Sequence, residues 1–337
     1  MIRVDNLAFL DEHGMPPTLS PELELNVAHA TAAPPFFTTT EQILNGATAP
    51  NGIEIIGVNG FRDHLKSQNV TVVEASADID GVTTSDADLR VIMGIQGSPH
   101  DATSRNIARL RQAGLRVMGI GYQSADHPYG AGFSDPAKGL TPAGRDYLDN
   151  LAENGMILDL SHSGHQTAYD ALEYARDSLP ELPVFASHTG ILEASGGHNR
   201  NFPLEILQGI KERGGIVGIY ALTFALHSSD NSLDPMIEHI NTAIAELGPE
   251  TVAIGTDGIY HHFSEEERQA QFVALSNQLD PTVFSARYPS EPDELNTPDK
   301  MGVLFEALRY GGYGHNRATV EGVIGLNSLR FYQSAIQ

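Results

Sequence analysis

The chain has 337 residues, of which 41% are hydrophobic and 7% aromatic, so it can bury the core of one barrel-sized domain or of two smaller ones. It contains no cysteine, which excludes disulfides and thiolate chemistry. A formal net charge of −23 repels phosphate backbones and anionic lipid surfaces. We therefore expect no nucleic-acid or membrane partner, and we favour a single domain over residues 1–337.

The start of the chain indicates where the protein would reside. MIRVDNLAFLDEHG carries charges within its first residues and lacks the apolar core of a signal peptide. No apolar run in the sequence approaches the length of a membrane span. If this is the native start, we expect a soluble, cytoplasmic protein.

The N-terminal region, about 1–88, is the least regular part of the sequence. IRVDNLAF is predicted to be a first strand and NGIEIIGVNG a second, with a Pro- and Thr-rich loop at 32–50 between them. A short helix from Phe61 to Asn69 and a strand from Val70 to Ala75 are predicted next.

From Leu89 to Asp257, apolar runs alternate with helical segments, which is the pattern of repeated βα units. The predicted strands are LRVIMGIQG, LRVMGIGYQ, GMILDL, PVFASH, GIVGIY and TVAIGTDG; the predicted helices begin near Thr103, Thr141, Gln166, Asn201 and Ser232, and further helices cover Ser264–Leu279, Lys300–Tyr310 and Val320–Ser334. The long segment that leads to Gly139, rich in Gly, Pro and His, is predicted to form a lid or pocket wall.

Polar residues end several of these strands, namely Gln96, Tyr122, His162, His188 and Asp257. A doubly wound open sheet would give a similar alternation, but such a sheet gathers its site at one switch point. A (β/α)8 TIM barrel instead collects side chains from the carboxyl ends of many strands. The predicted fold class is therefore α/β, with a (β/α)8 barrel.

The two Ser-His pairs are the strongest chemical signal. Neutral imidazoles at the ends of neighbouring strands can bind one metal ion, and an added aspartate completes the minimum for a hydrolytic metal site. The alternative, two hydrogen-bonded core histidines, stays open. Neighbours in sequence rarely point at each other, so the pairs are a poor signal for a serine nucleophile.

Arg200 lies in the loop HNRN that follows the second histidine strand. Its guanidinium could bind a substrate carboxylate in a bidentate manner. The alternative is a surface arginine that caps a helix or pairs with one of the many acids.

Several ordered motifs carry a family resemblance. GLTPAGRDYLDNLAENGMILDLSHSG, PVFASHTG, HNRNFP, IGTDG and GLNSLR together resemble the membrane (renal-type) dipeptidases, the M19-like branch of the metal-dependent amidohydrolase superfamily. The resemblance covers about Leu89 to the C-terminus. It implies a (β/α)8 barrel of the metal-dependent hydrolase type and, in active members, a two-zinc site that hydrolyses dipeptides.

The resemblance also implies roles for four residues. His162 and His188 match the two histidines that bind the second zinc. Asp257 matches the aspartate beside the first zinc, which handles the catalytic proton, and Arg200 matches the arginine that recognises the substrate carboxylate.

The chain departs from the family pattern at the remaining positions. Gln96 replaces the glutamate that bridges both metals, and Tyr122 stands where a substrate-contacting histidine is expected. In this alignment Leu7 and Phe9 stand where the first strand of the family carries His-x-Asp. A neutral amide offers one weak oxygen ligand where a carboxylate would offset two dications, so we expect a degraded dinuclear site.

Two functional hypotheses follow. The first is a metallohydrolase that acts on a dipeptide or other small amide, with zero or one zinc bound by His162 and His188, with Gln96 as a weak ligand and Asp257 as the catalytic group. The second is a catalytically inactive member that acts as a small-molecule-binding or regulatory barrel. Under both hypotheses we expect a small ligand with a carboxylate, contacted by Arg200 and Tyr122. Both also leave open whether the chain forms a homo-oligomer.

Overall fold

The structure is a computed structural model that describes residues 1–9, 25–31, 53–83, 89–99, 101–194, 197–226, 231–278 and 288–336. The loop predicted at 32–50 lies outside the described residues.

The strands are parallel and close into a (β/α)8 barrel. Their bounds are β1 (Val4–Phe9), β2 (Val27–Thr31), β3 (Thr71–Val72), β4 (Arg90–Ile95), β5 (Leu115–Gly119), β6 (Ile157–Asp159), β7 (Val184–Thr189), β8 (Val217–Ile219), β9 (Val252–Ile254) and β10 (Gly258–Ile259). The hydrogen-bonded order is β10-β1-β2-β4-β5-β6-β7-β8-β9, with β3 paired to β4 outside this path. Because β10 follows β9 after three residues and pairs with β1, the sheet returns to its own first strand.

Helices alternate with these strands and cover the outside of the barrel. Their bounds are α1 (Ile53–Ser67), α2 (Ser104–Gln112), α3 (Pro142–Glu153), α4 (His165–Ser178), α5 (Leu204–Glu212), α6 (Asp234–Leu247), α7 (Glu265–Gln278), α8 (Lys300–Tyr310), α9 (Arg317–Glu321) and α10 (Asn327–Ala335). A π-helical turn, Gly322–Leu326, joins α9 to α10 inside the single helix predicted there. Short 3₁₀ turns occupy Ser76–Asp78 and Asp293–Leu295.

Local sequence signals fix several of these ends. The Thr141 hydroxyl accepts a hydrogen bond from the backbone N–H of Gly144 at 2.9 Å, and Pro142 occupies the first helical position of α3. After the helix, Gly155 adopts φ 60°, which favours glycine and turns the chain into β6.

A cluster of apolar side chains fills the amino-terminal end of the barrel. It joins residues from the starts of the strands to α10, and it includes Val4, Val27, Ile92, Val117, Ile157, Phe185, Phe331 and Tyr332. The Phe185 ring stacks on the Phe331 ring with centroids 5.1 Å apart. The C-terminal helix therefore closes this end, and the polar groups gather at the other.

In the N-terminal region one prediction was wrong and one strand was missed. NGIEIIGVNG was predicted to be a strand, but its described part, residues 53–60, begins α1, which continues to Ser67 through most of the predicted helix at Phe61–Asn69. Val58, Phe61 and Leu65 recur at helical spacing and are all buried, so packing of one face outweighs the β-propensity of the isoleucines. The segment VAHAT, for which no strand was predicted, forms β2.

Candidate functional site

Apart from Arg200, which lies in the loop after β7, the predicted site residues lie at the carboxyl ends of barrel strands. Gln96 follows β4, Tyr122 follows β5, His162 follows β6, His188 is near the end of β7, and Asp257 lies between β9 and β10. Since parallel strands present these ends to one face of the barrel, the residues share the face where such barrels place their active sites.

The two histidines meet directly. The Nε2 atoms of His162 and His188 are 2.9 Å apart, and both side chains are buried. The Tyr122 ring stacks on the His162 ring with centroids 4.0 Å apart. Burial, followed by the charge of Arg200, lowers the pKa of both imidazoles well below the ordinary value. Both rings are therefore neutral at pH 7, the form that binds a metal ion or accepts a hydrogen bond.

Two site residues occupy the left-handed backbone region. His162 has φ 71° and Asp257 has φ 55°. Non-glycine residues adopt such angles uncommonly, and the surrounding structure must compensate for the strain. The N–H of Ser163 donates to the oxygen of Leu160, and the N–H of Asp257 donates to the oxygen of Leu7 at 3.0 Å. These bonds hold the two turns that place the side chains at the strand ends.

Asp257 is a carboxyl group with a strongly altered pKa. Burial raises its pKa to about 7, the charge of Arg200 opposes this shift, and Asp5 adds to it. Asp5 accepts hydrogen bonds from the N–H and hydroxyl of Thr256 at 2.9 and 2.6 Å, which anchors the residue before Asp257. A carboxyl group with a pKa near neutrality can both take up and release a proton.

Arg200 is buried, so the surface interpretation of this residue was wrong. The residue is 2% exposed, and its guanidinium carbon lies over the rings of Phe133 and Tyr220, at 5.9 and 5.3 Å from their centroids. Nη2 donates to the backbone oxygen of His188 at 3.3 Å, whereas Nη1 has no hydrogen-bond partner among the described residues. Phe133 belongs to the segment predicted to be a pocket wall.

Gln96 is also buried, with 6% of its surface exposed. Its Oε1 atom has no hydrogen-bond partner within the part of the chain that the structure describes. A Cβ on Gly119 would lie 2.2 Å from the backbone oxygen of Gln96, so the glycine allows β5 to approach this turn. The amide oxygen is thus available to a ligand, as a neutral group.

His29, on β2, is a candidate that the sequence analysis missed. Its Nδ1 is 2.6 Å from the backbone oxygen of Asn6, and its buried Nε2 has no hydrogen-bond partner among the residues described. Burial lowers its pKa, and its charge in turn contributes to the lowered pKa of His188. A Cβ on Gly94 would lie 2.1 Å from Nε2, so the glycine leaves room for the imidazole. The alternation of alanine with larger side chains in VAHAT was the sequence signal that could have identified this strand.

The arrangement constrains how a metal could be held. Two nitrogens that each lie about 2.0–2.1 Å from one zinc in tetrahedral geometry are about 3.3 Å apart, so the histidine rings would need to separate by only a few tenths of an ångström. Across the described ranges, no group of three or more His, Cys, Asp or Glu side chains is arranged to hold an ion. His162 and His188 can thus offer two nitrogens to one ion, and the role of Gln96 as a weak third ligand stays a prediction. The number of ions stays a prediction.

None of the described helices is both long and apolar enough to span a membrane.

Comparisons with known proteins place the chain in a family. The model of the membrane dipeptidase family (peptidase family M19) matches residues 62–281. An uncharacterized dipeptidase of Schizosaccharomyces pombe is 34% identical over 160 residues, which cover 44% of this chain and 36% of that protein. The alignment thus spans about a third of the length of this relative.

Solved structures share the fold at low sequence identity. An amidohydrolase from Pseudomonas aeruginosa has a TM-score of 0.78 at 19% identity, covering 99% of this chain and 96% of that one. A metallopeptidase from Rhodobacter sphaeroides, liganded with a phosphinate mimic of the dipeptide L-Ala-D-Ala, has a TM-score of 0.72 at 17% identity and covers 99% of both chains. With the family model matching most of its length, the chain belongs to the membrane dipeptidase family, peptidase family M19.

Proposed function

We propose that the protein is a metallohydrolase of the dipeptidase type that binds a dipeptide or other small amide through a free carboxylate, with at most one zinc ion and low dipeptidase activity. The buried guanidinium of Arg200 is the observation that carries this proposal. Its Nη1 lacks a partner among the described residues, and its Nη2 donates to a neutral backbone oxygen.

A buried charge without an ion-pair partner is costly, and none of the described residues forms an ion pair with Arg200, so a ligand carboxylate there would be stabilising. A planar guanidinium presents parallel N–H donors that match the two oxygens of a carboxylate. The Phe133 and Tyr220 rings lie within cation–π distance of the guanidinium, so they help to hold it in place for a ligand. These features support a small, carboxylate-bearing ligand.

The chemistry of the site would be divided among few groups. His162 and His188 would hold the metal, and zinc bound there would lower the pKa of a water molecule and polarise a carbonyl. Asp257 would take up the proton from the attacking water and release it to the leaving amine at its carboxylate oxygens. Tyr122 stacks on one face of the His162 imidazole and would shield that face from water.

The alternative is a binding or regulatory barrel without catalysis. Gln96 favours it, because a neutral amide in place of the family carboxylate does not compensate the charge of two dications. The two functions share the carboxylate site and differ only in turnover.

One experiment on zinc-saturated protein tests the proposal. Calorimetry should detect binding of the phosphinate mimic of L-Ala-D-Ala, and of L-Ala-D-Ala itself, but much weaker binding of the dipeptide amide that lacks the free carboxylate. Release of free alanine by the wild type, but not by the Asp257→Asn variant, would support the hydrolase. Binding without release would favour the inactive alternative, and no preference for the free carboxylate would contradict both.

A further inference from the structure

The two facing histidines differ in what lies behind their rings. Nδ1 of His188 is 2.6 Å from the hydroxyl of Ser187. Nδ1 of His162 is buried and has no hydrogen-bond partner among the described residues. Within the described part of the chain, only the His188 imidazole is therefore tied to the protein through its second nitrogen.

The Ser187 hydroxyl is itself tied to a buried acid, Asp159. One oxygen of Asp159 accepts hydrogen bonds from the backbone N–H groups of Ser161 and Ser187, both at 3.0 Å. The other oxygen accepts the hydroxyl of Ser187 at 2.5 Å. Asp159 and Ser187 are both buried, at 1% and 0% exposure, so solvent does not compete for these bonds.

The direction of these bonds determines where the proton of His188 sits. A carboxylate only accepts, so the single hydroxyl proton of Ser187 is directed to Asp159. The Ser187 oxygen can then only accept hydrogen bonds, from the imidazole and from the Ser161 hydroxyl, which lies 3.3 Å away. His188 must carry its proton on Nδ1, which leaves the Nε2 lone pair facing His162 and the pocket.

We propose that Asp159 and Ser187 form a relay that fixes the tautomer of His188, so that Nε2 is held as a ligand atom, whereas His162 remains free to exchange its tautomer. In the metal-free protein His162 donates from Nε2 to Nε2 of His188, and its proton must move to Nδ1 before both rings can bind one ion. Asp159 and Ser187 are positioning residues, because they act on the site through His188. The ligand role rests on the proposed function, whereas the tautomer does not.

The same bonds exclude another role for Ser187. In a serine nucleophile the imidazole accepts the hydroxyl proton and the acid lies behind the imidazole. Here the serine lies between the acid and the imidazole, and its hydroxyl points away from the pocket toward Asp159. Ser187 orients His188 and does not attack a substrate.

The relay makes an unusual prediction for the near-isosteric Asp159→Asn variant. The oxygen of asparagine would keep the two backbone N–H donors, so its amide N–H₂ would face the Ser187 hydroxyl and donate to it. The hydroxyl proton would then turn to His188 Nδ1. The tautomer of His188 should reverse, with the proton on Nε2, although the fold and the packing volume are unchanged.

Nitrogen-15 NMR of ring-labelled histidines in the full, metal-free chain reads this tautomer directly, with the His188 signals assigned from their absence in His188→Gln. The wild type should have the Nδ1–H form. Asp159→Asn should give the Nε2–H form, and Ser187→Ala should give a mixture. Ser163→Ala is the matched control, because Ser163 is equally buried, lies beside the other histidine, and its hydroxyl has no hydrogen-bond partner among the described residues.

Zinc titration provides the second measurement. Loss of an orienting partner of a metal-bound histidine typically costs about 10–100-fold in affinity, so Asp159→Asn and Ser187→Ala should weaken zinc binding by about that factor. A wild type with the Nε2–H tautomer, or an Asp159→Asn variant that retains Nδ1–H, would overturn the relay. A wild type with Nδ1–H that binds no zinc would support the relay and contradict only the proposed metal role.

Discussion

At the scale of single residues, the site combines groups that the sequence identifies with groups that only the fold reveals. His162 and His188 could be predicted to meet, because two Ser-His pairs end neighbouring strands. His29 could not, because its segment is short and mixes small and polar residues. The relay behind His188 could not be predicted either, since sequence gives no direction for a hydrogen bond between Asp159 and Ser187.

The first prediction concerns Arg200→Lys. A lysine ammonium cannot present two parallel donors in one plane, so affinity for a ligand with a free carboxylate should fall by about tenfold or more. Calorimetry with the phosphinate mimic measures the loss, and the dipeptide amide, which lacks the carboxylate, should be little affected. Equal affinities of wild type and variant for the phosphinate would remove Arg200 from the ligand site.

The second prediction concerns Gln96→Glu. A carboxylate beside a dication should strengthen zinc binding by roughly tenfold or more, because it replaces a neutral amide oxygen. Two-metal dipeptidase activity should not return, because the hydrocarbon side chains of Leu7 and Phe9 offer no ligand atom. Zinc titration with elemental analysis checks the change, and Gln166→Glu on the exposed side of α4 controls for added charge. Two tightly bound zinc ions in the unmodified protein would contradict the degraded-site proposal.

At the scale of elements, prediction succeeded where hydrophobic period and turn residues agree, as in α3 and β7. Prediction failed where tertiary packing determines the secondary structure. The isoleucines at the start of α1 favour a strand by propensity, yet the buried face of Val58, Phe61 and Leu65 makes a helix. The π-helical turn before α10 was also not predicted; a Cβ on Gly325 would lie 2.3 Å from the backbone oxygen of Ile2, a contact that no local pattern encodes.

The third prediction tests the role of α10 as the closure of the barrel. Phe331 is 6% exposed and stacks on Phe185 of β7, so Phe331→Ala should lower the free energy of unfolding by about 3–5 kcal/mol. Ligand affinity of the folded protein should change little, because the cluster lies at the opposite end of the barrel from Arg200. Urea denaturation and calorimetry give the two values. Tyr313→Ala, at a side chain that is 63% exposed, is the aromatic control and should stay within about 0.5 kcal/mol of wild type.

At the scale of the whole molecule, buried histidines and buried carboxyl groups affect the free energy of unfolding in opposite directions as the pH changes. Burial lowers the pKa of His127 and of His239 to about 4, so their contribution is present above pH 6.5 and is lost as the pH falls toward 4. Burial raises the pKa of Asp5 to about 6 and that of Asp257 to about 7. The contribution of these carboxyl groups is present at low pH and is lost as the pH rises toward neutrality. The wild-type profile is the sum of both sets.

The last prediction isolates one member of these sets. His239 is 1% exposed and its Nδ1 accepts the backbone N–H of Ile191 at 3.0 Å, a bond that the oxygen of an asparagine can retain. His239→Asn should therefore remain folded at pH 7 but lose less stability on acidification. With a folded-state pKa of about 4 against 6.5 in the unfolded chain, the wild type should lose roughly 1–1.5 kcal/mol more than the variant between pH 7 and pH 5.5. Urea denaturation of both proteins at the two pH values measures this double difference, and the same substitution at exposed His262 is the control. A variant whose stability falls as steeply as that of the wild type would mean that water reaches His239 in the folded protein.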